Sequence, residues 1–337
     1  MSAASVLPLI QTAITRYVLP IIVVFGNVGN LCMIAVYMQK KFRTNSFAIY
    51  LIASSFCCLL SVNWSIIPLV AALSDYDLVN KSLAFCRIRG YLLQVSAQCI
   101  RYFLVLRCVD RYVLSSAHVS IRAFSRPRIA YLAIAITAII WGVLSAQLLI
   151  WESIEAGRCG IYGLFGQVFA IYVIVFAAVT PLCFMIILGI LLMKNLRQSR
   201  TQVQPTPNNA NGYRLNNRDA SLRRLVLTEV LVHIICTFMS PIMQIYSQTT
   251  ASMTSSKSTQ QKQVEAFLNF LAQSLLLYLN YSTTFYVYAA TSKSFRNEVK
   301  KIVLINVQKL KVNTRNQTRK LIPGSRLTGH VQKTTIV

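Results

Sequence analysis

Charged side chains interrupt a mostly apolar stretch at residues 86–112, where they could form ion pairs or bind another molecule. As an α-helix rising about 1.5 Å per residue, the part from Cys86 to Asp110 would extend roughly 36 Å and could cross a bilayer. Arg101, Arg107 and Arg111 lie on one broad face of that helix. Exposing this face to lipid would cost several kcal/mol per charge, so it is predicted to point into a bundle of helices.

The composition is that of a membrane protein. Of the 337 residues, 55% are hydrophobic and only 13% are charged, and the mean hydropathy is +0.53, which is too apolar for a soluble domain of this size. The net charge of +25 invites a nucleic-acid interpretation. However, the basic residues gather between apolar segments and near the C-terminus, a distribution that orients a membrane protein and predicts no nucleic-acid partner.

Seven segments of about 20 or more mostly apolar residues are predicted to cross the lipid bilayer. They cover residues 17–38, 46–73, 90–112, 129–151, 163–193, 222–248 and 264–290. Residues 40–43, 122–128, 194–224 and the chain from 293 onward together contain 24 of the 34 lysines and arginines. By the positive-inside rule these segments face the cytosol, so the N-terminus is expected outside.

The sequence predicts an all-α membrane fold with five parts. Residues 1–16 are expected to form a short extracellular tail, and residues 17–290 a bundle of seven helices. Within the bundle, residues 194–221 are rich in Asn, Gln, Pro and Arg, which predicts a flexible cytoplasmic loop. Apolar and basic positions at helical spacing in residues 291–308 predict an amphipathic helix on the inner leaflet. The basic tail, residues 309–337, is expected to be disordered.

The cysteines and histidines give no sign of a metal centre. Seven of the nine cysteines lie inside apolar segments, where small buried hydrophobes are expected. No cluster has zinc-ligand spacing, and no nucleophile–base pair or phosphate loop is visible. The sequence therefore predicts no metal, no cofactor and no enzymatic activity. Cys86 and Cys159 remain, each at the outer edge of a predicted span.

The order of several motifs resembles that of a rhodopsin-like (class A) G-protein-coupled receptor. Cys86 opens the third predicted span, and Asp110-Arg111-Tyr112 closes it. Further anchors in the chain agree with the family pattern: Gly29, Asn30, Trp141, Pro181, Pro241, Tyr288 and Phe295. The resemblance implies a multi-pass receptor of the plasma membrane, with an extracellular ligand and a heterotrimeric G protein as partners. The chain looks most similar to invertebrate neuropeptide receptors of the FMRFamide-like kind.

On the outer side, the resemblance implies a disulfide from Cys86 to Cys159 that ties the second outer loop to the third span. Both cysteines lie on the oxidising side of the membrane in the predicted topology. Four N-x-S/T sequons occur in the chain, and the predicted topology leaves only that of Asn80 in an outer loop. Asn80 is therefore a candidate glycosylation site.

On the inner side, the resemblance implies a coupling switch formed by Asp110-Arg111-Tyr112 and Tyr288. Arg111 would be held by Asp110 at rest and released to meet the G protein. The alternative is a plain positive-inside anchor, because arginine is common at cytoplasmic helix ends. Many relatives carry an acid at the base of the sixth span, where this chain has Ser221. The resting contact is therefore expected to be weaker.

Two prolines and three substitutions bear on activation. Pro181 and Pro241 are predicted to kink buried helices and to act as hinges. Met239 stands where the family has a tryptophan toggle, and Phe285 where it has the proline of the seventh span. Ser55 replaces a sodium-coordinating aspartate. Since a hard cation needs anionic oxygen ligands, no sodium effect on agonist binding is expected.

Arg101 has no precedent in the family. It precedes Asp110 by nine residues, or about 14 Å, which places it near mid-membrane. Function is the default expectation for such a charge, and an arginine satisfied by carbonyls and water is the alternative. Uncharged candidate partners are Gln98, Gln147 and Asn280. Arg107 has a better candidate in Glu229, and that pair could replace the weakened resting contact.

The predicted ligand pocket argues against two ligand classes. Leu93 stands where aminergic relatives carry an aspartate, and residues 264–290 lack the lysine that retinal requires. The residues expected to line the pocket are Leu93, Gln94, Ala97, Gln98, Met239, Gln244 and Tyr278. Acids at the outer rim would steer basic, amidated peptides: Asp75, Asp77, Glu152, Glu155 and Glu265.

The favoured interpretation is a receptor that binds a short neuropeptide and activates a heterotrimeric G protein. The altered sixth and seventh motifs make a ligand-binding receptor without G-protein coupling the first alternative. A transporter or channel is the second. Internal repeats are typical of transporters, and none is visible here.

Overall fold

The computed structural model describes residues 3–74, 76–116, 118–155, 157–201, 210–250, 256–302, 304 and 308. In this part of the chain, six helices are long and apolar enough to cross a membrane by length and composition. These first to sixth spans are Val6–Tyr37, Ser46–Ser74, Leu83–Leu114, Pro127–Trp151, Gly163–Lys194 and Ser221–Thr249.

A seventh long helix follows the sixth span. It consists of an α-helix at Thr259–Phe270, a π-helical turn at Leu271–Leu275 and an α-helix at Leu276–Thr291. The sequence predicts a span here, yet this helix is not among the six apolar ones. The reason is that polar groups occupy the face it buries: Tyr278, Asn280, Tyr281, Ser282 and Tyr288. We call it the seventh helix.

The first helix begins earlier than the sequence predicts. An α-helix at Ala3–Ala13 passes through a π-helical turn at Ile14–Val18 into an α-helix at Leu19–Tyr37. Residues 1–16, expected to be a tail, are therefore helical from their third residue onward. The apolar side chains of this stretch continue the hydrophobic run of the first span, so the helix continues with them.

The other spans combine regular helix with local breaks. The second span is an α-helix at Ser46–Ala71 followed by a 3-10 turn at Ala72–Ser74, and the third is one α-helix at Leu83–Leu114. The fourth consists of two α-helices, Pro127–Ser145 and Leu148–Trp151, and the sixth of two, Ala210–Thr237 and Met239–Thr249. In the fifth, a π-helical segment at Val173–Val179 separates the α-helices Gly163–Tyr172 and Thr180–Thr201. Short helices at Leu78–Lys81 and Val119–Arg122 lie in loops. Pro181 and Pro241 lie next to breaks in the fifth and sixth spans, consistent with the missing amide donor of proline.

The predicted flexible loop, residues 194–221, is largely helical where the structure describes it. The fifth helix continues to Thr201, and the sixth begins at Ala210; residues 202–209 lie outside the described part. Lys, Leu, Arg and Gln in this stretch are good helix formers and extend the two helices beyond the membrane.

A small β-hairpin, which the sequence did not predict, connects the fourth span to the fifth. Following the predicted topology, we call this end of the bundle outer and the opposite end inner. Strand β1 (Ser153–Glu155) pairs antiparallel with strand β2 (Arg158–Gly160), so that Ile154 lies opposite Cys159. Gly157 takes a φ of 70° in the turn, a conformation that favours glycine. The Cys86–Cys159 disulfide is present, with the two Cα atoms 5.9 Å apart. It attaches β2 to the outer end of the third span.

The core of the bundle lies around the third span. Its buried residues include Cys99, Phe103 and Leu104, and Cys99 and Phe103 pack against Trp141 of the fourth span. A second apolar cluster joins the first span, the second span, the third span and the seventh helix: Leu19, Ile22, Cys58, Val62, Ile66, Ile100, Phe270, Tyr278 and Tyr281. Arg107, Asp110 and Arg111 of the third span are buried in this packed interior.

A separate unit begins at Lys293. Its residues 293–302 are helical, and Lys301 pairs there with Glu298 at 3.3 Å. These residues belong to the stretch for which an amphipathic helix is predicted. The predicted basic tail, residues 309–337, lies outside the described residues.

Candidate functional site

One carboxylate joins three helices in the inner half of the bundle. Arg107 of the third span donates from Nη1 to Glu229 Oε2 at 2.9 Å and from Nη2 to Glu229 Oε1 at 2.7 Å. The hydroxyl of Tyr288, on the seventh helix, donates to Glu229 Oε2 at 2.6 Å. Glu229 belongs to the sixth span. We call Arg107, Glu229 and Tyr288 the inner cluster.

The inner cluster is buried, which makes its pairing energetically important. Arg107 is 1% exposed, Glu229 is 8% exposed and Tyr288 is fully buried. Two parallel N–H···O bonds between a guanidinium and a carboxylate are the strongest arrangement for such a pair. Removing one partner of a buried ion pair typically costs about 3–5 kcal/mol because the other charge stays behind. The pair that the sequence suggested for Arg107 and Glu229 is present.

Asp110 and Arg111 form a second network, at the inner end of the third span. Arg111 donates from Nε and Nη2 to Asp110 Oδ2 at 3.0 and 2.5 Å. It also donates to Asn45 Oδ1 at 3.3 Å, and its guanidinium lies 5.1 Å from the ring centre of Phe47. Both charged residues are buried. Tyr112 is half-buried, and within the described residues no hydrogen bond from its side chain is found.

Asp110 has two further partners that the sequence did not indicate. Its Oδ1 accepts from Ser46 Oγ at 2.5 Å and from Ser125 Oγ at 2.7 Å. Ser46 begins the second span, and Ser125 lies in the loop before the fourth span. Uncharged serines at unrelated points of the chain carry no recognisable spacing, which is why sequence reasoning missed them. The carboxylate therefore keeps two hydroxyl partners independent of Arg111.

A cavity of about 260 Å³ opens in the outer half of the bundle. Five of the residues predicted to form a ligand pocket line it: Leu93, Gln94, Ala97, Gln244 and Tyr278. Gln98 and Met239 do not line it. Gln98 is fully buried beside the cavity-facing side of the third span, and Met239 is half-buried where the sixth span breaks. We call this space the outer cavity.

The outer cavity contains two charged residues that were not predicted to line it, Arg101 and Glu152. Arg101 donates from Nη1 to Gln98 Oε1 at 3.4 Å. Glu152 follows the end of the fourth span, and burial raises the pKa of its carboxyl to about 7 although Arg89 and Arg87 lower it. The sequence placed Glu152 among the acids of the outer rim and not in the cavity itself.

The remaining polar groups of the membrane interior connect helices in pairs. Asn30 donates to the carbonyl oxygen of Tyr281 at 3.1 Å and thereby joins the first span to the seventh helix. Asn280 lies 3.0 Å from Nδ1 of His233 on the sixth span, a contact that sequence reasoning missed. Ser55 is buried in the second span. Asn30 and Asn280 therefore each connect two helices.

The outer rim differs from the ring of steering acids that the sequence suggests. Glu265 accepts from Lys257 at 2.7 Å and from Tyr246 at 2.9 Å, and the Lys257 ammonium lowers its pKa. Asp77 accepts from Asn80 Nδ2 at 2.7 Å. Glu155 is exposed, and Asp75 lies outside the described residues. The rim therefore has fewer available carboxylates than its composition indicates.

Asn80, the candidate glycosylation site, is tied into the fold. Besides its bond to Asp77, its Oδ1 accepts from the backbone N–H of Cys159 at 2.8 Å. A glycan would be attached at Nδ2, the atom that donates to Asp77. Among the described residues, the one group with metal-ligand geometry is Cys86, Glu152 and Cys159. Its two sulfurs form the disulfide, so they are not thiolate ligands.

Comparison with known proteins agrees with this architecture. The model of the family described as 7 transmembrane receptor (rhodopsin family) matches residues 26–280, which is well over half of the chain. The chain therefore belongs to the rhodopsin family of seven-transmembrane receptors. None of the curated proteins matches it. The match and the apolar helices together establish a multi-pass, seven-helix membrane protein of the receptor class.

Proposed function

We propose that this rhodopsin-family receptor binds an extracellular ligand in the outer cavity and activates a heterotrimeric G protein by opening its inner half. The N-terminus and the outer cavity would face the outside of the plasma membrane, and the basic loops would face the cytosol. The observation that carries the proposal is the inner cluster, in which one buried carboxylate ties the third span, the sixth span and the seventh helix.

The inner cluster takes the place of the resting contact that many relatives make at the base of the sixth span. Ser221 stands where those relatives carry an acid. Glu229 lies eight residues further along the same helix, or about 12 Å deeper in the bundle. Outward movement of the sixth span would pull Glu229 away from Arg107 and Tyr288. Ligand binding must offset the cost of separating them, so the cluster favours the resting state.

Arg111 is the residue that would meet the G protein. When Arg111 leaves Asp110, the Asp110 carboxylate still accepts hydrogen bonds from Ser46 and Ser125. A buried carboxylate with two hydroxyl donors costs far less than one without any. The network therefore lets Arg111 leave while Asp110 still joins the start of the second span to the loop before the fourth span.

A short peptide is the proposed ligand. The outer cavity is lined by amides, hydroxyls and apolar side chains from several helices, as ligand pockets in proteins commonly are. The disulfide-linked hairpin stands beside it, since Glu152 of the cavity directly precedes β1. Residues 293–302 would lie on the inner leaflet as the start of an amphipathic helix.

A receptor that binds ligand without coupling to a G protein is the second candidate. Arg111 is already engaged by Asp110, Asn45 and the Phe47 ring. Met239 and Phe285 replace two residues that relatives use in activation. A transporter or channel finds no support, because the family to which the chain belongs consists of receptors.

G-protein activation in cells tests the proposal. Cells would express the wild-type chain or Arg111→Ala, with surface levels matched, and be screened with short amidated peptides and peptides with free ends. We expect a peptide that produces a response in the wild type and at least tenfold less in Arg111→Ala. Arg122→Ala, an exposed charge nearby, should respond normally. Surface binding without a response in any form would instead support the receptor that does not couple.

A further inference from the structure

The outer cavity holds two opposite charges that do not neutralise each other. Arg101 lies toward its inner end, and its only hydrogen bond among the described residues is the 3.4 Å contact with the neutral Gln98. No carboxylate of the described residues pairs with it. An unpaired guanidinium near mid-membrane is costly. An anionic group inside the cavity would remove that cost.

Glu152 is in the corresponding situation at the outer end. Its Oε2 is buried and has no hydrogen-bond partner in the described part of the chain. The nearby Arg87 and Arg89 point their guanidinium groups at backbone carbonyl oxygens. Gly90 makes room for the carboxylate, since a Cβ there would clash with its oxygens. A cation in the cavity would provide the missing partner.

A third group supports an anion at the inner end. Tyr281 lines the cavity, and its hydroxyl is buried without a hydrogen-bond partner among the described residues. Its ring is within electrostatic range of Arg101. A buried hydroxyl normally donates to something. A phenol and a guanidinium together suit the two oxygens of a carboxylate.

The dimensions limit the size of what fits. Gly90, beside Glu152, precedes Arg101 by 11 residues on the third span, or about 16 Å along the helix axis. Helical side chains lean toward the N-terminus, so the guanidinium reaches back toward Glu152 and shortens that distance. A separation of roughly 10 Å corresponds to about three extended residues. The cavity volume of about 260 Å³ is at the low end for ligand pockets.

We propose that the outer cavity binds a small zwitterion with the dimensions of a dipeptide or tripeptide with free ends. Its carboxylate pairs with Arg101 and Tyr281, and its ammonium pairs with Glu152. This inference rests on the proposed function, for which it specifies the ligand class. It differs from the amidated peptides suggested by the resemblance, because a neutral carboxamide leaves the Arg101 charge unpaired.

Binding to the purified receptor in lipid nanodiscs tests the chemistry of the ligand. Randomised tripeptide mixtures would be prepared in four forms: both ends free, C-terminal amide, N-terminal acetyl, and both ends blocked. We expect the mixture with both ends free to bind at least tenfold more tightly than either singly blocked mixture and to raise the unfolding temperature most. Equal binding of all four forms, or no binding of the free form at millimolar concentration, would overturn the proposal.

Three receptor variants assign each charge to its residue. Arg101→Gln should lose the preference for the free carboxylate and keep that for the free amine, and Glu152→Gln should do the reverse. Arg128→Gln, which removes an exposed charge at the start of the fourth span, should keep both preferences. Unchanged preferences in the first two variants would contradict the assignment. If a variant does not fold, the four mixtures on the wild type still decide.

The binding assay also separates this inference from the proposed function. It needs no G protein, so tight binding of the free mixture without any cellular response would refute coupling and leave the zwitterion site in place. A cellular response driven equally well by amidated and free peptides would refute the zwitterion site and leave G-protein coupling in place.

Discussion

At the scale of single residues, the Glu229 carboxylate accepts hydrogen bonds from two other helices, which no sequence motif indicated. The pairing of Arg107 with Glu229 could be predicted, because both charges lie inside apolar segments and an intramembrane charge needs a partner. The hydrogen bond from Tyr288 to Glu229 could not be predicted, since a tyrosine hydroxyl near a helix end has many possible partners. The hydrogen bond of Tyr288 to the same carboxylate is what includes the seventh helix.

Glu152 gives a pH dependence that can be measured. Burial raises its pKa from 4.5 to about 7, so the folded protein holds this proton more tightly than the unfolded chain. The stability contributed by the protonated carboxyl is complete below pH 4.5 and is lost as the pH rises through 7. Without ligand, we expect the unfolding temperature of the purified receptor to fall over this interval.

The matching variant is Glu152→Gln, which should flatten that part of the pH profile. Glu155→Gln, an exposed neighbour in the hairpin, should leave the profile unchanged. An identical slope in wild type and Glu152→Gln would show that another group titrates in this range.

At the scale of elements, the hairpin and its disulfide position the outer cavity. The Cys86–Cys159 bond closes a loop with a sequence separation of 73 residues, which also contains the fourth span. In the chain-entropy model, closing a loop of this length stabilises the fold by about 4 kcal/mol. Glu152 lies within this loop and reaches the cavity beside Gly90.

Breaking the disulfide should therefore lower both stability and binding. We expect the Cys86→Ser, Cys159→Ser double variant to lose about 4 kcal/mol of unfolding free energy and to bind the zwitterionic tripeptide mixture weakly. Thermal unfolding and binding in nanodiscs measure the two effects. Cys183→Ser, at an exposed free cysteine of the fifth span, is the control and should match the wild type. A double variant as stable as that control would contradict this account.

The elements themselves were predictable to different degrees. Apolar runs located the helices from the second span to the sixth span, because hydrophobic length is a direct requirement of the bilayer. The π-helical turns at Ile14–Val18, Val173–Val179 and Leu271–Leu275 leave no trace in such a pattern. Strands β1 and β2 are only three residues each, too short for an alternating pattern to indicate them.

At the scale of the whole molecule, two polar sites lie in the outer and inner halves of one packed bundle. The third span connects them, with Arg101 in the outer cavity and Arg107 in the inner cluster. The sequence placed both arginines on one helical face, and that face does point inward. It placed Glu152 at the outer rim and not in the cavity, and it indicated no contact of Ser46 or Ser125 with Asp110. These residues come from loops and helix ends whose positions depend on the finished fold.

This arrangement explains how a ligand outside could act on the cytosolic side. A ligand that draws Arg101 and Glu152 together would shift the position of the third span relative to the neighbouring helices. Movement of the sixth span would separate Glu229 from Arg107 and Tyr288. The free energy that the ligand can supply for this movement is limited to the difference between its binding free energies for the resting and the active state. The inner cluster sets how large that difference must be.

The most direct test is ligand-independent G-protein activation by Glu229→Gln in cells, compared with the wild type at equal surface expression. The variant removes the charge that pairs with Arg107 and loosens the sixth span. The account predicts a severalfold rise in basal signal that disappears when Arg111→Ala is added, together with a lower unfolding temperature. Basal signalling equal to that of the wild type in a correctly folded Glu229→Gln receptor would contradict the claim that the inner cluster maintains the resting state.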